Sequence, residues 1–274
     1  MKFKRIYLEL SNYCNLDCLF CTPSNKNTRM IDLNLAKKVI DEASSLTNEM
    51  CFHVLGEPLV YPHFFELVEY LNSKGMNLML STNTRLIEKN KDKLLKANIK
   101  TWNLSLHSIY SMENKENYIL KLLEFIDLYQ ENHEAVFHLR LWADSNQIIK
   151  KSNDEIKKNI FQYYRYMGPD LKRIRFKERI ILSYEEEFTW PSLDLDYNHD
   201  GYCLGGKTHI AILADGRVVM CCLDANGDTL IGNVKEKSLE EIINDKPYLL
   251  ARKLFSDNKC YFKLCKHCSY KDRR

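Results

Sequence analysis

Between Phe3 and Arg179 the sequence alternates six times between a strand pattern and a helix pattern. Strands are predicted at Phe3–Leu10, Met50–Leu55, Met76–Ser81, Thr101–Leu106, Val136–Trp142 and Arg173–Ile180. The helices between them are predicted at Leu33–Leu46, Pro62–Lys74, Arg85–Ala97, Lys115–Gln130 and Asp154–Tyr166, with Asp32 as an N-cap and Gly75 as a stop. Such alternation means an α/β fold with a parallel sheet and covering helices. Six units fall short of the eight that close a full (β/α)8 barrel. One face of the first five strands is apolar, as in Ile6, Leu8, Leu104, Leu106, Phe137 and Leu139. The other carries Tyr7, Glu9, Ser11, His53, Glu57, Met79, Ser81, Asn83, Asn103, Ser105, His107, His138, Arg140 and Trp142. A parallel sheet packed on both sides reads apolar on both, so the polar face is expected to line a hydrated or ligand-filled lumen. In the sixth strand Arg173, Arg175, Lys177 and Arg179 share one face. This row fits an anion site near the lumen and equally the charge that protects an edge strand.

Directly after the first strand come Cys14, Cys18 and Cys21, spaced C-x3-C-x2-C with Phe20 just before the third cysteine. Three thiolates are one too few for a closed four-cysteine site, so a [4Fe–4S] cluster held there keeps an open iron. A zinc knuckle, with four ligands and C-x2-C pairs, is the competing reading. The chain has 274 residues, ten cysteines and a net charge of +3. The start, Met1 to Arg5, runs into a strand with no apolar signal segment. Ten cysteines without an export signal indicate metal or redox chemistry in a reducing, cytoplasmic compartment. No apolar run approaches a membrane span, and the balanced charge gives no strong nucleic-acid signal.

Beyond residue 200 lie Cys203, Cys221, Cys222, Cys260, Cys265 and Cys268. Asp215-Gly216 between Ile210–Leu213 and Val218–Met220 predicts a hairpin, which brings Cys203 and Cys221 to one site. Cys265 and Cys268 form a C-x2-C pair. These four are read as one metal site, iron–sulfur or zinc, with Cys260 as a substitute ligand. Cys51 is read as a buried small hydrophobe.

The first cysteine run resembles the radical S-adenosylmethionine (SAM) superfamily pattern C-x3-C-x-aromatic-C. The Cys203-x12-Gly216-x4-Cys221 element and the later cysteines resemble a SPASM/twitch extension. The resemblance implies an open (β/α)6 partial barrel over residues 1–182 and a small hairpin-and-helix iron–sulfur domain over 183–274. It implies a SAM-binding [4Fe–4S] cluster on Cys14, Cys18 and Cys21, and one auxiliary [4Fe–4S] cluster on Cys203, Cys221, Cys265 and Cys268. Gly56-Glu57-Pro58 resembles the family run that receives the SAM amino group, with Leu55 at its first position. Ser81 to Asn83 sits where the family often has T-N-G. Ser105 would lie near the ribose, Arg140 would reach the SAM carboxylate and Phe20 would pack near the adenine. The activity implied is reductive cleavage of SAM to a 5′-deoxyadenosyl radical that takes hydrogen from a C–H bond, with electrons from a flavodoxin or ferredoxin. Because the first strand starts at Phe3, with no leader-peptide-binding segment before it, a small polar metabolite (amino sugar, nucleotide sugar or cyclitol) is expected over a peptide. Peptide maturation or epimerisation, with Cys222 returning a hydrogen atom, is the alternative. An iron–sulfur carrier or zinc scaffold is the non-enzyme alternative.

Overall fold

The computed structural model describes residues 3–21, 28–142, 146–184 and 189–272; Met1 and Lys2, part of the segment read for an export signal, lie outside them. Among the described residues the strands are β1 (Arg5–Leu8), β2 (Glu49–Phe52), β3 (Asn77–Thr82), β4 (Thr101–Ser105), β5 (Val136–Leu141), β6 (Arg173–Lys177), β7 (Ile180–Tyr184), β8 (His209–Ile212), β9 (Arg217–Val219) and β10 (Leu230–Asn233). The helices are α1 (Leu33–Ser44), α2 (Phe64–Ser73), α3 (Lys91–Leu94), α4 (Lys115–Asn132), α5 (Gln147–Tyr163), α6 (Leu239–Asn244), α7 (Lys246–Ser256) and α8 (Lys263–Lys266). Two compact units divide the chain. One holds Met1–Asp17, Cys21–Leu78 and Phe188–Arg274; the other holds Cys18–Phe20 and Met79–Glu187. These lines differ from the division at residue 182, which falls inside β7.

In the first unit the strand order is β10-β9-β8-β1-β2. β1 is parallel to both β2 and β8, while β8, β9 and β10 pair antiparallel. The hairpin read from Asp215-Gly216 is therefore present, with Gly216 at φ +91°, and it extends the same sheet beyond β1. Helix α1 forms because Asp32 accepts from the Asn34 and Leu35 amides, both at 3.0 Å, and because Ala36, Val39, Ile40 and Ala43 make one buried stripe. Gly75, at φ +70°, ends the turn after α2. Helix α6 starts on a capping box of Ser238 and Glu241.

In the second unit β3, β4, β5 and β7 are parallel neighbours and β6 closes the edge antiparallel to β7. The sixth parallel strand is thus β7. The predicted strand Arg173–Ile180 is two strands with a turn at Glu178-Arg179, because apolar and basic residues alternate through both arms and hide the break. The basic row is edge charge: Arg173, Arg175 and Lys177 are exposed, Lys177 pairs with Asp127 at 2.7 Å and Arg179 with Glu134 at 3.1 Å. The predicted helix Arg85–Ala97 is only a 3₁₀ turn at Glu88–Asn90 followed by the single turn of α3. Helix α5 begins earlier than predicted, where Asn146 accepts from the Ile148 and Ile149 amides. Trp102 of β4 stacks on Phe137 of β5 with ring centroids 5.4 Å apart and meets Phe125 and Tyr129 of α4 edge-on. Strands β4 and β5 alternate fully buried apolar residues with half-buried Asn103, Ser105, His138 and Arg140. The polar positions of these two strands are thus less buried than the apolar ones between them. The fold is the expected α/β class with an open sheet.

Candidate functional site

The three cysteines lie in the loop that leaves β1. Its ends are clamped: the Asn12 amide donates to the Arg29 carbonyl at 3.1 Å, and the Arg29 amide donates to Asn12 Oδ1 at 2.7 Å. The Tyr13 amide donates to Ser11 Oγ. Cys14 and Cys18 are half-buried and Cys21 is exposed.

The Leu55-Gly56-Glu57-Pro58 run is packed on this loop. Gly56 is at φ +73°, and a Cβ there would stand 2.2 Å from the Ser11 carbonyl oxygen and 2.6 Å from that of Tyr13. Only glycine permits that approach. The Glu57 amide donates to the Tyr13 carbonyl at 3.0 Å. Glu57 was expected to offer its carboxylate to a ligand ammonium. Its side chain is buried, and Oε1 accepts from the Leu59 amide at 3.1 Å, capping a 3₁₀ turn at Pro58–Val60. Glu9, placed by strand alternation on the lumen face, is also buried, with both oxygens taken by the Leu55 and Ala214 amides.

In the second unit Phe20 meets His107 edge-on at 4.7 Å and Tyr110 at 6.5 Å. His107 stacks on Trp142 at 5.6 Å with its plane tilted by 7°, and the Arg140 guanidinium lies 4.4 Å over the same indole. Arg140 also donates to Ser105 Oγ at 3.3 Å. His107 shares a hydrogen bond between Nδ1 and the Arg140 carbonyl at 3.0 Å. Burial, with the Arg140 charge adding to it, pushes its pKa down to about 3, so the ring is neutral at pH 7. Asn103 donates to Ser81 Oγ at 3.4 Å. Asn83 is buried and accepts from the Arg85 amide. Sequence reasoning placed Phe20, Ser105 and Arg140 at the cofactor and put His107 and Trp142 on the same polar strand face; it gave His107 no role between them.

In the first unit the late cysteines form one neighbourhood. Burial pushes the Cys203 thiol up to about 11, and the Cys221 and Cys268 sulfurs push the same way. Cys265 is raised well above the ordinary thiol range by burial and by Cys203, Cys260, Cys221 and Cys268. Cys268 is raised by burial and by Cys221. Four half-buried thiols, three of them raised by sulfurs of the same set, fit a cationic centre that takes them all as thiolates. Backbone amides are ready for those charges: Gly205 N–H donates to Cys203 Sγ at 3.2 Å and Leu223 N–H to Cys221 Sγ at 3.4 Å. Cys260 is buried, with its amide on Asp200 Oδ1 and its thiol on the Gly201 carbonyl. Cys51 is buried, and burial raises its thiol far above the ordinary range. Cys222 is half-buried. A ring nitrogen of His209 and the sulfurs of Cys221 and Cys222 lie within 4.8 Å of one another, close enough for a single metal ion. His209 is a residue that sequence reasoning missed, since it lies in a strand with no ligand-type spacing.

The radical SAM superfamily model matches residues 8–140, and the SPASM model, an iron–sulfur cluster-binding domain, matches residues 203–269. The chain belongs to the radical SAM superfamily. Its superfamily region ends on Arg140 of β5, and its SPASM region contains all four late candidate ligands. As a radical SAM enzyme it has a SAM-binding [4Fe–4S] cluster and an iron–sulfur extension as its implied cofactors. GTP 3′,8-cyclase of Aquifex aeolicus is 22% identical across 89% of each chain. Relatives at 30–35% identity match over only 23–36% of their own length. Among solved structures, BtrN in complex with AdoMet and 2-DOIA is similar with a TM-score of 0.61 and 18% identity, over 98% of this chain and 94% of that one. Native anSMEcpe with bound AdoMet and Cp18Cys peptide is similar with a TM-score of 0.59 and 16% identity, over 96% of this chain and 88% of that one. No described helix is long and apolar enough to cross a membrane.

Proposed function

We propose that this radical SAM enzyme oxidises a small polar metabolite such as an amino sugar, nucleotide sugar or cyclitol. One observation carries the reading. The chain has a three-cysteine loop that leaves a ligand position open, and a separate four-cysteine set in which the Cys203 and Cys221 sulfurs already receive backbone N–H groups. Cys14, Cys18 and Cys21 would hold the first cluster; Cys203, Cys221, Cys265 and Cys268 would hold the auxiliary one. When bound, the first cluster and SAM supply a 5′-deoxyadenosyl radical that takes hydrogen from a substrate C–H bond.

The chain's own residues position the parts. Gly56 and Glu57 shape the loop that receives the SAM amino end. Arg140, held by Ser105 and Trp142, meets the SAM carboxylate as a charge-assisted donor. Phe20, backed by neutral His107, provides an apolar face for the adenine, while Ser81 and Asn83 set the neighbouring turn. The catalytic core is taken as residues 1–182 and the auxiliary domain as 183–274. A flavodoxin or ferredoxin is the reductant in this reading, and the compartment is cytoplasmic.

A second reading is epimerisation with Cys222 as hydrogen donor. It is favoured by the half-buried, free state of that thiol and its packing beside Tyr7 on the Val54, Ala211, Leu213 and Val219 cluster. The two are separated by product mass after anaerobic turnover in deuterated water with a panel of sugars and cyclitols. Oxidation gives a product two hydrogens lighter and one 5′-deoxyadenosine per turnover. A mass-neutral product with one solvent deuterium, lost in Cys222→Ala, would refute the oxidation reading.

A further inference from the structure

Glu9 follows β1 and is 3% exposed. Its Oε1 accepts from the Leu55 amide at 3.2 Å and its Oε2 from the Ala214 amide at 3.0 Å. A buried carboxylate is a costly way to satisfy two N–H groups, and its burial pushes the carboxyl pKa upward. What it joins is specific. Leu55 precedes Gly56, whose backbone rests on Ser11 and Tyr13 in the loop that leads to Cys14. Ala214 opens the turn of the β8–β9 hairpin, and β9 leads through Met220 into Cys221. The same turn is held to the first loop a second time, because Asp215 pairs with both Arg29 and Arg217. Each oxygen of one rigid carboxylate thus fixes one loop, and a shift of the hairpin moves the acceptor of Leu55.

We propose that Glu9 is a positioning residue through which the hairpin carrying Cys221 sets the Leu55-Gly56-Glu57 loop, so that the auxiliary site and SAM affinity are coupled. The inference rests on the reading that this loop receives SAM.

The test is SAM affinity by anaerobic calorimetry on the reconstituted full chain, in Glu9→Gln, Cys265→Ala, the double variant and Gly56→Ala. Glutamine keeps the shape but sets an NH2 against one of the two amides. Losing one such bond is expected to weaken SAM binding about tenfold. Cys265→Ala, which opens the auxiliary site, is expected to weaken it comparably. The double variant is then no weaker than the worse single one, because both break one linkage. A double variant weakened by the product of the two factors would overturn the coupling. So would unchanged affinity in Glu9→Gln when Gly56→Ala is weakened. Unchanged affinity in Gly56→Ala would instead remove the loop reading itself. Amide exchange in the wild-type chain needs no variant. Added SAM should raise protection of Leu55 and Ala214 together, and protection of Leu55 alone would refute the linkage.

Discussion

Gly56 and Gly75 have nearly the same backbone angle, φ +73° and +70°, and opposite surroundings, so they form an internal control. An alanine at either position meets the left-handed penalty of about 1–2 kcal/mol. At Gly75 a Cβ has nothing within 4 Å, so that penalty is the whole effect. At Gly56 the Cβ would stand 2.2 and 2.6 Å from two backbone oxygens and 3.0 Å from the Ser11 carbonyl carbon. Backbone cannot rotate aside as a side chain does, so overpacking adds about 1–3 kcal/mol. The backbone that must move carries the Tyr13 carbonyl, which holds the Glu57 amide, and it runs directly into Cys14. Gly56→Ala should therefore lose about 2–5 kcal/mol in urea unfolding of the apoprotein, and after reconstitution its SAM dissociation constant should rise at least about tenfold. Gly75→Ala should lose about 1–2 kcal/mol with unchanged SAM affinity. Equal losses in the two variants, or equal SAM affinities, would refute the argument that Gly56 seats the cofactor loop on the cysteine loop.

Replacing Cys265 with alanine should lower bound iron after reconstitution from about eight to about four per chain, measured by iron and sulfide assay, with SAM cleavage still detectable; a loss of zinc at unchanged iron would contradict the auxiliary cluster. His107 gives a pH signature. Its folded pKa, about 3, lies below the ordinary 6.5, so below that pH the unfolded chain takes a proton that the folded one refuses. Stability is full above about pH 6.5 and is lost as pH falls toward 3, by about 2 kcal/mol at pH 5. His107→Gln should flatten that slope in apoprotein urea midpoints at pH 7 and 5, and an unchanged slope would show that another group carries it.

The parallel strands and the hairpin were legible because each is a local pattern: alternation, a cap such as Asp32, a turn such as Asp215-Gly216. The attachment of β8 to β1 was not, since parallel pairing joins residues 204 positions apart, as Arg5 and His209, and leaves no local trace. Arg173–Lys177 and Ile180–Tyr184 merged into one predicted strand because alternation continues through a two-residue turn. Strand parity put Glu9 beside Tyr7 on the polar face, yet only the tertiary positions of the Leu55 and Ala214 amides show it to be a buried tie. The candidate ligands were read from spacing alone. Strand alternation put His107 and Trp142 on the polar face, but their stacking, and the place of His209 beside Cys221 and Cys222, follow from packing, which one sequence does not display.

The central claim is that an open three-cysteine cluster on Cys14, Cys18 and Cys21 cleaves SAM. Its most direct test is 5′-deoxyadenosine formation by the reconstituted, dithionite-reduced protein under anaerobic conditions, followed by liquid chromatography and mass spectrometry. The account predicts 5′-deoxyadenosine and methionine in equal amounts from the wild-type chain and none from the variant with all three cysteines replaced by alanine. Equal product from both proteins, or none from a wild-type chain that holds its full iron, would contradict it.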